Sequence, residues 1–107
     1  MSKGYTTAPW GPIAGSGQSL AVGSGSSSTF TNAVGSETRA ILLSLAPTAT
    51  PTGALFRISQ AGTAATATLD LLVKTTDIPL VVRVSPGDKV SAFGLAACTA
   101  YLTELTN

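Results

Sequence analysis

The sequence predicts an all-β fold: a small antiparallel β-sandwich, jelly-roll-like, of about eight strands, with an extended N-terminal arm. Three observations lead there. Short runs rich in β-branched residues recur at the spacing usual for sandwiches and barrels; eleven glycines and six prolines punctuate them; and several runs alternate apolar and polar residues with a period of two. No stretch carries a helical period, since the best candidate, residues 92–102, has Gly94 inside it and Thr and Tyr towards its end.

Residues 1–17 hold Pro9, Pro12 and four glycines, which rules out a helix or a central strand and predicts an arm. Tyr5, Trp10 and Ile13 are large apolar groups on that arm. Leaving each in water is unfavourable by roughly 1.5–3 kcal/mol, so they are expected to pack on the domain itself or on a partner. The sandwich is predicted over residues 18–107, with strands near 18–22, 27–34, 39–45, 54–60, 66–74, 79–84, 89–95 and 98–105. Gly23-Ser24-Gly25 separates the first pair, Pro47, Pro51 and Gly53 separate the third from the fourth, and Ser85-Pro86-Gly87-Asp88 has Pro and Gly where a type II turn needs them.

Alternation assigns faces. Phe56 and Ile58 are expected inward and Arg57 and Ser59 outward; Leu69, Leu71 and Val73 inward with Asp70 and Lys74 outward; Leu80, Val82 and Val84 inward. Leu42, Leu55, Leu72 and Val81 then fall on faces that a solitary sandwich would show to water. Either something covers those faces or the register is shifted by one.

With 107 residues the chain has the length of one domain. Only 10% of it is charged and the net charge is +1, which suits a protein docked against neighbours and gives no field for nucleic acid. No apolar run approaches the ~20 residues of a membrane helix, so no membrane partner is expected. The absence of histidine removes the commonest general base and metal ligand. Cys98, the only cysteine, lies in an apolar run and is expected to be an inert thiol. Glu37, Asp70, Asp77, Asp88 and Glu104 occur singly and are expected on solvated faces or in turns. No catalytic residue, metal ligand or cofactor is predicted. The candidate contacts for a partner are therefore Tyr5, Trp10 and Ile13 of the arm and Arg39, Arg57 and Arg83 of the strands, where guanidinium groups suit carboxylates or carbonyls across an interface.

The run TDIPLVVRVSPGDKVSAFGLAACTAYLTELT at 76–106, with ALFRISQ at 54–60 before it, resembles small tailed-phage virion proteins of the β-sandwich type, including jelly-roll capsid decoration (cement) proteins. The likeness spans residues 38–106 and rests on a Pro-initiated strand, a Pro-Gly turn, an Ala-rich strand and a final Thr/aromatic strand in that order. It implies a protein bound to the major capsid protein on the outside of the virion and made in the host cytoplasm; the apolar arm, the leftover Leu and Val faces and the sparse charge add the expectation of a homo-oligomer, dimer or trimer. The role it implies is to clamp joints between shell subunits. It carries no catalytic residue. A tail or fibre component is the alternative within that class, and a carbohydrate-binding sandwich using Tyr5, Trp10 and Tyr101 as a stacking platform is the alternative outside it.

Overall fold

A computed structural model describes residues 11–60, 64–66 and 70–106. Nine strands and no helix lie among them: β1 (Gly11–Pro12), β2 (Gln18–Val22), β3 (Ser27–Thr29), β4 (Ala40–Leu45), β5 (Gly53–Ser59), β6 (Leu71–Lys74), β7 (Leu80–Arg83), β8 (Lys89–Gly94) and β9 (Cys98–Thr106).

The antiparallel pairs nest, β2 with β9, β3 with β8, β4 with β7 and β5 with β6, like one long hairpin. Two further ladders, β4–β9 and β5–β8, roll that hairpin into two sheets. Sheet A runs β1/β2–β9–β4–β7 and sheet B runs β3–β8–β5–β6. This is the jelly-roll wrap, an all-β sandwich of two antiparallel sheets as expected.

The inner faces supply the core. Ile41, Leu43, Leu45, Ala100 and Leu102 of sheet A meet Ala54, Phe56, Val73, Val90 and Ala92 of sheet B, all buried. Phe56 is buried as expected, while Ile58, Leu80 and Val82 are half-buried against the same core. Only the first three residues of the strand expected at 27–34 form a ladder. The chain beyond stays tethered by the Phe30 N–H to Val90 O and Val34 N–H to Asp88 O bonds, both 2.9 Å, and buries Phe30 and Val34. The strand expected at 66–74 begins its ladder at Leu71, and Leu69 lies outside the described residues.

The turn at 85–88 is type II: the Asp88 N–H donates to Ser85 O at 3.1 Å and Gly87 has φ +88°. Gly94 is required by close approach, because a Cβ there would collide with Gly23 O and stand 2.9 Å from Ala96 O and Val22 Cγ1. The same point carries the Ser24–Gly94 bridge, where the chain passes from sheet A to sheet B.

Two expectations need correction. Residues 11–13, expected in the arm, lie along the edge of sheet A: Gly11 and Pro12 pair with Thr106 and Leu105, and the Ile13 N–H donates to Glu104 O at 2.9 Å. Proline is tolerated there because the strand lies on an edge, where a missing N–H leaves no ladder bond unmade. Leu71 shares the inner face but is 41% exposed, because β6 is itself an edge strand with no neighbour to cover it.

Candidate functional site

β6 and β7 follow one another in the chain and form the edges of sheets B and A on the same flank. Their connection is a polar turn. The Lys74 N–H donates to Asp77 Oδ2 at 2.9 Å and the Asp77 N–H to Lys74 O at 3.0 Å, while the buried Thr75 hydroxyl donates to Thr52 O at 3.2 Å. Held this way, the turn projects Ile78 into solvent at 85% exposure.

Alternation does the rest. With Val73 fixed in the core, Leu72 must point outward, opposite Leu55 of β5; with Val82 inward, Val81 must point outward, opposite Leu42 of β4. The register is therefore the expected one, and the apolar residues on outer faces are real. Leu55 is covered, Leu42 is half-buried, and Leu72 and Val81 are each 45% exposed. Leu95, whose N–H donates to Gly53 O, adds to the same flank at 52%. Two grooves of about 350 and 340 Å³ meet at Leu72, one lined by Leu71, Ile78, Pro79 and Leu80 and the other by Pro51, Gly53 and Leu95. Contiguous exposed apolar surface of this kind marks an interaction site.

The arginines do not form one site. Arg39 and Arg83, both exposed, line a cleft of about 530 Å³ with Ser36, Pro86 and Asp88 at the other end of β4 and β7. Arg39 Nη1 donates to Ser36 O and Thr38 O at 3.2 and 3.3 Å. Asp88 is engaged in its own turn, accepting from the Ser85 N–H at 2.9 Å and from Gln60 Nε2 at 2.5 Å. Two guanidinium groups and one carboxylate thus line the same cleft.

Arg57 lies elsewhere, on the outer face of sheet B, where its Nε donates to Asp70 Oδ1 at 2.9 Å. The Thr66 N–H first, and then Arg57, hold the Asp70 carboxyl below its ordinary value. Ile13 is half-buried and fixed by its backbone to β9. Tyr5 and Trp10 lie outside the described residues. Tyr101 is 45% exposed on the outer face of sheet A, the one exposed aromatic among the described residues.

Glu104 departs from expectation. It shares the inner face with Leu102 and Ala100, is only 9% exposed, and accepts from the Gly35 N–H at 2.8 Å and the buried Thr38 hydroxyl at 2.5 Å. Its role is to stitch the 35–38 loop to the central strand of sheet A. The signal was present in the alternation Ala100, Leu102, Glu104, which places the carboxylate in step with the core. Cys98 is half-buried, and desolvation pushes its thiol above the usual range.

No family model, curated protein or solved structure matches the chain.

Proposed function

We propose that the protein is a structural subunit of a phage virion, a decoration or cement protein that attaches to the outside of the capsid and stabilises contacts between major capsid protein subunits. The observation that carries this reading is the apolar β6–β7 flank. Leu71, Leu72, Ile78 and Leu95 line two grooves that meet at Leu72 and make a surface that a protein partner would bury with gain, on a scaffold whose strands hold it rigidly. The jelly roll supports the reading at the level of fold, since viral capsid domains are among its recurrent uses, though lectins and cupins share it. The sparse charge of the chain and the resemblance over residues 38–106 point the same way. The Arg39–Arg83 cleft would supply the polar part of the contact, accepting a carboxylate of the shell.

The test is co-sedimentation with capsid shells that lack the protein. The wild-type chain should pellet with shells at saturating stoichiometry, and a Leu72→Lys, Ile78→Asp double variant should remain in the supernatant. Absence of wild-type binding to shells of its own phage would refute the decoration role.

A further inference from the structure

The flank just described needs an occupant, and the chain carries one. We infer that residues 1–10 of one copy, led by Tyr5 and Trp10, seat in the β6–β7 groove of the next copy, so that the protein assembles head to tail into a closed ring. The inference rests on the proposed assembly role: it gives the β6–β7 groove to a second copy, so that the ring, through its remaining faces and the Arg39–Arg83 cleft, is what meets the shell.

Placement is the argument. β1 joins sheet A beside Leu105 and Thr106, on the far edge from β7 and level with the Ala40–Arg83 end of the sheet. The groove lies beyond Leu80, which pairs with Leu43, and so at the opposite end of the opposite edge. Three inter-strand spacings across and five or six residues along separate the two points by roughly 20–25 Å. Residues 1–10 span at most about 33–36 Å when fully extended, so a route to the groove of their own copy would use most of that length. A neighbouring copy removes the detour.

The chemistry matches as well. The segment MSKGYTTAPW combines Tyr, Pro and Trp with a single charged side chain, Lys3. The groove offers Leu71, Leu72, Ile78, Pro79 and Leu80 in a depression of about 350 Å³, room for a large aromatic ring. Because donor and acceptor surfaces differ, the contact is heterologous, and such contacts close into rings when the rotation per copy allows.

Trp10 is the only tryptophan, which makes the free protein its own reporter. In the absence of any shell, the wild-type chain should sediment as an oligomer with blue-shifted tryptophan emission, and dilution should move mass and emission together towards monomer and exposed indole. Ile78→Asp, a substitution at a position 85% exposed and so harmless to the fold, should give a monomer with solvent-exposed Trp10 emission. A full-length Tyr5→Ser, Trp10→Ser variant should also be monomeric. The decisive experiment mixes the two: the only tryptophan then sits on the groove variant, and titrating in the arm variant should restore the blue shift and produce a complex of two chains.

An oligomer that survives loss of both arm aromatics would overturn the inference, as would blue-shifted emission in the monomer, which would place the arm on its own domain. Because no shell enters these measurements, their failure leaves the shell-binding result to be judged by itself.

Discussion

The two flanks of the sandwich are built to opposite specifications. On one side β2 and β3 are joined across the sheets by backbone: Gly94 lies hard against Gly23, Ser24 bridges to Gly94, and the Gly25 N–H donates to Gly94 O at 2.8 Å. The edge strand there is Ser27, Ser28 and Thr29, short and hydroxylated. On the other side β6 and β7 expose leucine, isoleucine and valine beside a polar turn. An exposed strand edge invites pairing, and proteins usually blunt it with brevity, polarity or charge. The β2–β3 flank follows that rule and the β6–β7 flank does not. The contrast separates a flank blunted by brevity and hydroxyl groups from one that leaves apolar side chains in water, the flank to which the proposed contact is assigned.

That contrast can be broken in several ways, beginning with the core beneath both flanks. Phe56→Ala should destabilise the domain by about 3–5 kcal/mol in a denaturant titration, because the ring is 2% exposed and its loss leaves a cavity. A loss below about 1 kcal/mol would mean that the core does not hold the sheets rigid enough for either flank to keep a defined shape. Glu104→Ala should remove about 2–3 kcal/mol, since the Thr38 hydroxyl and the Gly35 N–H lose their charged acceptor. Glu104 belongs to neither flank, so sedimentation of this variant, under conditions where it stays folded, should show association unchanged.

Acid should act next. The carboxyl of Asp70 is held below its ordinary value of 3.8, so its contribution is fully present above that pH and fades as pH falls through the lower folded-state value. Thermal melts of wild type and Asp70→Asn should therefore converge below pH 3.8 and diverge above it. The smallest effects on stability should come from the flanks themselves, where Leu72→Lys and Ser27→Lys each shift unfolding by less than about 0.5 kcal/mol. Their effects on association should differ sharply, with Leu72→Lys abolishing it and Ser27→Lys leaving it intact. Equal effects would erase the distinction between the flanks.

Much of the fold was legible because its signals are local. Strand-length runs bounded by Gly and Pro located β5, β7, β8 and β9 to within a residue or two, period-two alternation assigned the faces of β5 and β7, and the Pro86-Gly87 pair specified a turn whose geometry follows from the residues themselves. The outward positions of Leu72 and Val81 were readable for the same reason. What lay hidden depends on partners distant in the chain. Nothing local distinguishes an edge strand from a central one, so Leu71 reads as buried although β6 lacks a neighbour. Gly11 and Pro12 read as arm because their strand exists only through pairing with Leu105 and Thr106. Of the predicted contact residues, Arg39 and Arg83 share a cleft, whereas Arg57 is drawn to Asp70 by a loop closure that no spacing announces.

The position of β9 in sheet A has a consequence for how the molecule is made. It is the last of the nine strands to leave the ribosome, yet it stands between β2 and β4 and pairs with both. Until β9 has been synthesised sheet A holds only the β4–β7 pair, and β1 and β2 wait without a ladder partner, while the β5–β6 hairpin needs no later segment to close. With its pairings so far apart in sequence, this half of the molecule belongs among the slower, millisecond-to-second folding cases. During that interval the β4 strand AILLSL has β7 on one edge and nothing on the other, so the nascent chain shows an open apolar edge until its final strand arrives.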